Sequence, residues 1–180
     1  MYDPVTYWKQ AGKTYYQDFK YNDEYIKQEE ALIKYLEEIE FNSVLELGCG
    51  FGRITQLFAM MYIEDYTGVD VSTEQLNHAK EFSQYKFIES DILPLQLDRK
   101  FDLVIAVEVL MHQTPDKIQS IIDKMKSLSK KHVIDVDYYA NEGVWLEPHN
   151  FKHDYYGLYG DNLHNVRVIN NKQRIFHYEI

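Results

Sequence analysis

Residues 44–52 run VLELGCGFG. A short apolar strand containing the acid Glu46 ends here, and glycines then take the alternate positions 48, 50 and 52. Glycine lets the backbone turn left-handed and lets another group come close to it, because no Cβ stands in the way. A helix follows at once, since residues 52–62 put Ile54, Leu57, Phe58 and Met61 on one face. The free N–H groups at a helix start suit a polar ligand. The strand–turn–helix rhythm then repeats along the chain. Tyr66 to Val69 is a second strand closing on Asp70, and Ser72 or Thr73 can cap a helix running to about Phe82. Lys86 to Glu89 is a third strand, ending near Asp91. Phe101 to Val107, FDLVIAV, is a fourth; its unbroken apolar run suits a strand buried on both faces. Pro115 opens a helix to about Leu128, and His132 to Val136 is a fifth strand, with Asp135 and Asp137 at its end.

Alternating strands and helices predict a doubly wound α/β fold with a mainly parallel sheet. Two features break the alternation. Residues 23–39 form an amphipathic helix before the first strand, and residues 163–170 and 173–180 both alternate around Asn170-Asn171-Lys172, as a C-terminal antiparallel hairpin does. The expected organisation is a single domain over 1–180. Within it, 1–40 form an N-terminal helical lid, 41–136 a ligand-binding core, and 137–180 a substrate-side segment with the terminal hairpin.

Composition narrows the class. At 180 residues and 45% hydrophobic, the chain can bury one ordinary core. No apolar run is long enough to span a bilayer and the first residues do not resemble a signal peptide, so no membrane partner is expected. A net charge of −10 repels phosphate backbones, and no nucleic-acid partner is expected. The lone cysteine, Cys49, rules out an internal disulfide framework and a cysteine-rich zinc site. A cytoplasmic location follows as the expectation.

Which ligand the glycine turn holds is decided by the acids around it. The dinucleotide fingerprint is G-x-G-x-x-G, but here the spacing is G-x-G-x-G with Arg53 next. Glu46 would add negative charge beside a pyrophosphate and instead suits a cationic group. Asp70, roughly twenty residues on, is placed to accept from both hydroxyls of a ribose. Asp91 is placed to accept from the exocyclic amine of adenine. A ribose, an adenine, a positive group and no phosphate describe S-adenosylmethionine.

At these residues the chain resembles the class I S-adenosylmethionine-dependent methyltransferases. The matching segments are VLELGCGFGRIT (44–55), TGVDVS (67–72), FIESDI (87–92) and FDLVIAVEVLMHQTPD (101–116), in the family's order and spacing. The resemblance covers roughly residues 40–136 and implies a seven-stranded sheet with an antiparallel final strand. It also implies S-adenosylmethionine as cofactor, with Glu46, Gly48 and Gly50 along its methionine end and Asp70 on its ribose. Val71, Asp91 and Ile92 would flank the adenine, and Ala106 and Val107 would pass beneath.

The acceptor side is less determined. No Asn/Asp-Pro-Pro-aromatic sequence follows the fourth strand, where Ala106, Val107, Glu108 and Val109 stand. Cys49 lies inside the cofactor turn, so it reads as a small buried residue and not as a nucleophile for cytosine C5 chemistry. His112 is a candidate general base because its free pKa lies near neutrality; packing or orienting its loop is the alternative role. Glu108 either lines the same pocket or caps backbone groups. In HNFKHDY (149–155), His149, His153, Asp154 and Tyr155 either meet the acceptor and its proton or form a local cap on the sheet. His149 and His153 stand four apart, as helix-borne metal ligands do, but further ligands are unspecified and no metal is expected. The aromatics of residues 7–21 either close over cofactor and substrate or pack an extra helix onto the domain. The expected function is methyl transfer to O or N of a small-molecule acceptor. A protein or peptide methyltransferase, or a catalytically silent cofactor-binding partner subunit, are the alternatives.

Overall fold

A computed structural model describes residues 2–19, 23–139 and 147–180. Seven strands form one sheet: β1 (Ser43–Leu47), β2 (Asp65–Asp70), β3 (Lys86–Glu89), β4 (Phe101–Val107), β5 (Ser129–Tyr138), β6 (Leu163–Val168) and β7 (Gln173–Glu179). Their order is β3-β2-β1-β4-β5-β7-β6. The first five are parallel, while β7 runs antiparallel to both β5 and β6. The chain winds outward from β1 to β3 and then returns to β4 beside β1. That reversal opens a crevice at the carboxyl ends of β1 and β4, the place where such sheets bind ligands.

Strand β4 is buried at all seven positions, as its apolar run requires. Its side chains alternate between two cores. Val104 and Ala106 pack with Leu45, Leu47 and Val133 against α5 (Ile118–Leu128). Leu103, Ile105 and Val107 pack with Val44, Ile134 and Val136 against α2 (Asp23–Leu36) and α3 (Arg53–Met60). Each large aliphatic side chain so enclosed contributes about 1.5–3 kcal/mol. Ser72 caps α4 (Thr73–Phe82) by accepting from the Gln75 N–H.

The ends of the chain follow local rules as well. Asp3 accepts from the backbone N–H of Thr6 at 2.9 Å, and Pro4 takes the first position of α1 (Pro4–Phe19), where its missing N–H costs nothing. The expected hairpin forms because Asn170 Oδ1 accepts from the N–H groups of Lys172 and Gln173, closing the turn between β6 and β7.

Several boundaries differ from the sequence reading, three of them near the site. The helix expected from Pro115 starts at Ile118, because residues 114–117 form a turn in which Lys117 N and Ile118 N both donate to the Thr114 carbonyl. The helix expected over residues 23–39, α2, stops at Leu36. Asp135 and Asp137 do not end β5 beside a loop; the strand runs on to Tyr138 because β7 supplies pairing partners as far as Gln173. Residues 140–146 of the expected substrate-side segment lie outside the described residues. Among the described residues no helix is long and apolar enough to cross a membrane.

Candidate active site

The crevice is a cleft lined from both sides of the chain reversal, with about 1020 Å³ of empty volume including its mouth. Its floor is the glycine turn. Gly48 has φ +74°, and a Cβ there would sit 2.3 Å from Val109 Cγ2. Gly50 has φ +52°, and a Cβ there would have only Gln75 Oε1 near it, at 3.9 Å. Gly48 is therefore bare because the loop after β4 presses on it, and Gly50 because the turn must bend left-handed beside open space.

Asp70 fixes that turn. Its Oδ2 accepts from Gly50 N at 2.9 Å and its Oδ1 from Ser72 N at 2.8 Å. Burial pushes its carboxyl up, while these backbone donors favour the ionised form. The Val71 N–H favours the ionised form too, and the carboxylate keeps remaining lone-pair capacity for a ligand. Glu46 is 2% exposed and accepts from the hydroxyls of Tyr66 and Thr55. Burial pushes its carboxyl up to about 7 against the pull of Tyr66 and Arg53. Along the same wall Asp91 accepts from Ile92 N at 2.7 Å. Glu108, at φ +57°, accepts from Gln28 Nε2 at 3.0 Å and from Gln173 Nε2 at 2.7 Å. Side-chain amides from α2 and β7 thus hold it.

The cleft lining carries the carboxylates of Glu46, Asp70, Asp91 and Glu108 against the guanidinium of Arg53. That guanidinium is already engaged by Glu29 and Gln28 and lies 3.9 Å over the Tyr25 ring. The electrostatics suit a cationic ligand and oppose a pyrophosphate. Of the cofactor residues expected from the sequence, Glu46, Gly48, Gly50, Asp70, Val71, Asp91, Ile92 and Val107 all line the cleft. Ala106 does not; it is fully buried among Val104, Leu45 and Leu47 in the core below. Cys49 touches the cleft, but burial pushes its thiol well up, which suits packing and not attack.

The opposite wall is aromatic. Pro4, Val5, Trp8 and Tyr15 of α1 line the cleft together with Tyr25. The helix sits close because Gly12 faces Ser72, where a Cβ would lie 2.3 Å from its Oγ. Trp8 lies 4.6 Å from the His112 ring, and His149 stacks on Tyr7 at 4.6 Å and on His112 at 5.4 Å. His112 lines the cleft, is 7% exposed, and has its pKa lowered to about 4 by burial and then by His149. It is therefore neutral at neutral pH, with lone-pair capacity for a proton.

The other two histidines are not in the cleft lining. His149 forms the layer behind His112. His153 Nε2 meets the carbonyls of Leu110 at 3.1 Å and Gln113 at 3.0 Å, so it ties down the loop that carries His112. Asp154 caps the short helix α6 (Tyr155–Tyr159) by accepting from Gly157 N, and Tyr155 is fully buried. The sequence reading missed Gln28, Gln173 and Gln113 as parts of the site. The glutamines carry no local pattern, and Gln28 meets Glu108 across eighty positions.

Asp135 and Asp137 face the α5 side of the sheet and are both 0% exposed. Asp137 accepts from the N–H groups of Met111 and Tyr138, at 2.9 and 3.2 Å, and anchors the start of the His112 turn. Burial first, and then Asp137 beside it, push Asp135 well up, so Asp135 keeps its proton. The native pair then binds more protons than the unfolded chain above the unfolded aspartate pKa of about 3.9, and stability is lost as pH rises. The lowered His112 and His177 act in the opposite sense, but only between about 4 and their free value of 6.5. Asp135→Asn should therefore flatten the decline in melting temperature between pH 7 and pH 9. An unchanged slope would show that Asp135 is not the protonated member.

The comparisons with known proteins agree with this geometry. The profile of the methyltransferase-domain family matches residues 44–132. A 2-methyl-6-phytyl-1,4-hydroquinone methyltransferase from Synechocystis is 35% identical over 80 residues, covering 42% of this chain and 25% of that protein. An (S)-coclaurine N-methyltransferase from Papaver somniferum is 30% identical over 106 residues, covering 51% and 30%. The chain thus spans less than a third of the length of these curated relatives. The crystal structure of magnesium protoporphyrin IX methyltransferase from Synechocystis with bound S-adenosylmethionine superposes with a TM-score of 0.77. It covers 99% of this chain and 98% of that one at 18% identity, a likeness of fold.

Proposed function

Because this chain matches the methyltransferase-domain family over residues 44–132 and resembles the class I S-adenosylmethionine-dependent methyltransferases, we propose that it belongs with them and transfers a methyl group to an oxygen or nitrogen of a small-molecule acceptor. The observation that carries this reading is the cleft itself, with a left-handed glycine turn, four carboxylates and an aromatic wall around one space. S-adenosylmethionine, when bound, supplies an electrophilic methyl on a sulfonium. Glu46, Gly48 and Gly50 hold its methionine end, Asp70 accepts from its ribose, and Val71, Asp91 and Ile92 flank its base. Val107 lies beneath, while Ala106 packs in the core on the opposite face of β4. Trp8 and Tyr15 of α1 exclude water from the reacting atoms, which makes residues 1–40 a lid over the 41–136 core. His112, neutral and inside the cleft, takes the acceptor's proton. His149 and His153 position His112 by stacking and by fixing its loop.

An acceptor enclosed under α1 has to be small, which disfavours a peptide, and the names of both curated relatives denote small acceptors. The net charge of −10 disfavours nucleic acid, and a chain whose one cysteine is buried suits the cytoplasm. The experiment is S-adenosylhomocysteine release by the purified chain alone, with panels of phenols, amines and carboxylic acids beside basic peptides. Release with a small acceptor supports the reading. Release only with peptides, or only after a partner protein is added, overturns it.

Asp70→Ala should weaken cofactor binding by about 1–3 kcal/mol, the range for a lost charged hydrogen bond. It should also lower the melting temperature, because Gly50 N and Ser72 N lose their acceptor. Unchanged affinity in the folded variant would remove Asp70 from the site.

A further inference from the structure

On the α2 face of the sheet, His132, His177 and Glu179 bring three donor atoms within 4.8 Å of one another. They come from neighbouring strands by register. His132 of β5 pairs with Glu179 of β7, and His177 stands two positions before Glu179 on the same face. His132 Nδ1 is 3.0 Å from His177 Nε2 and 3.8 Å from Glu179 Oε1. On the edge strand β6 the register slips between Leu163 and Asn165, and His164 at that slip reaches Glu179 Oε2 at 3.5 Å. The His164 and His177 rings are 5.1 Å apart. Metal–donor bonds of about 2.0–2.1 Å in a tetrahedron place donor atoms about 3.3 Å apart, close to these separations.

The atoms behind the donors are also those of a metal centre. His177 is 0% exposed, and its other ring nitrogen lies 2.8 Å from the Tyr35 hydroxyl on α2. With that nitrogen protonated and donating to Tyr35, Nε2 is left with its lone pair facing His132. His132 is in turn hydrogen-bonded to the Glu40 carbonyl. Ligating histidines are usually held in this way through the nitrogen that does not bind the metal. With both outer nitrogens donating, the two inner imidazole nitrogens face each other lone pair to lone pair at 3.0 Å, with a carboxylate beside them. One divalent cation satisfies all of these groups together.

We propose that His132, His177 and Glu179, with His164 as fourth ligand, form a binding site for a borderline divalent cation of the Zn²⁺ class. Imidazole-rich sets favour such ions over Mg²⁺ or Ca²⁺, which prefer oxygen. The cluster lies at the starting end of β5, away from the cleft at the strands' carboxyl ends. The ion therefore ties the terminal hairpin to β5 and, through Tyr35, to α2. It takes no part in methyl transfer, so the proposal stands or falls apart from the one above.

The test is titration of the untagged, metal-stripped chain with Zn²⁺ by calorimetry and with Co²⁺ by visible absorption. The expected result is one ion per chain, an intense Co²⁺ band of low coordination number, and a melting temperature that rises with Zn²⁺ and not with Mg²⁺. Glu179→Gln, at a partly exposed position that can change without unfolding the chain, and His132→Asn should each weaken Zn²⁺ binding by more than about 100-fold. Tyr35→Phe should weaken it by about 10–100-fold, as loss of an outer hydrogen bond does. S-adenosylhomocysteine affinity should stay unchanged in all three. Absence of stoichiometric Zn²⁺ binding in the wild-type chain, or equal binding in Glu179→Gln and His132→Asn, overturns the proposal.

Discussion

Gly48→Ala should abolish measurable S-adenosylhomocysteine binding while the chain remains folded. At φ +74° an alanine pays about 1–2 kcal/mol for the left-handed conformation. Its Cβ would also meet Val109 Cγ2 at 2.3 Å, an overpacking that costs about 1–3 kcal/mol. The turn can relieve both only by shifting, and a shifted turn no longer aims Gly50 N at Asp70. At about 1.4 kcal/mol per factor of ten, the expected loss of affinity exceeds about 100-fold. Calorimetry with circular dichroism separates lost binding from lost folding. Adding Val109→Ala removes the clash but not the strain, so the double variant should recover part of the affinity. Full binding by Gly48→Ala alone would mean that the cofactor does not depend on this turn.

His112→Asn should lower turnover by about 10²–10⁴-fold, the usual contribution of general-base catalysis, with cofactor affinity nearly intact. The imidazole is in the cleft and stays neutral across neutral pH because burial holds its pKa at about 4. His149→Asn and His153→Asn should act more weakly on turnover and more strongly on melting temperature. His149 supports His112 by stacking, and His153 holds the Leu110 and Gln113 carbonyls. If His112→Asn keeps near-normal turnover, the acceptor arrives deprotonated or gives its proton to water, and alignment alone carries the reaction.

The features legible in the sequence were those set by local pattern. FDLVIAV predicted a strand buried on both faces, and β4 occupies those residues with every position enclosed. Lys86–Glu89 was read to its ends because a charge closes each one. The hairpin was visible in two alternating runs around Asn170, whose side chain makes the turn. The cofactor wall was legible for a related reason, since in a parallel sheet each acid just past a strand falls at the same edge.

What the sequence did not disclose depends on contacts between distant elements. Asp135 and Asp137 look like loop-edge acids until β7 is laid beside β5 and covers them. HNFKHDY left open whether it meets the acceptor or caps the sheet; His153 holds the His112 loop and Asp154 starts α6, contacts that no local spacing announces. The aromatic segment at 7–21 left open whether it packs or closes the site. In α1, Trp8 packs against His112 and also lines the cleft wall. The cluster of His132, His164, His177 and Glu179 is invisible in sequence because a strand register, and not a spacing, assembles it.

The central claim is that the cleft is built for a cationic adenosyl ligand and against a pyrophosphate. Calorimetric titration of the purified chain with S-adenosylhomocysteine and, separately, with NAD tests it most directly. The G-x-G-x-G turn and the carboxylates of Glu46, Asp70 and Asp91 predict one-to-one binding of S-adenosylhomocysteine and no binding of NAD. Binding of NAD without binding of S-adenosylhomocysteine would contradict the account.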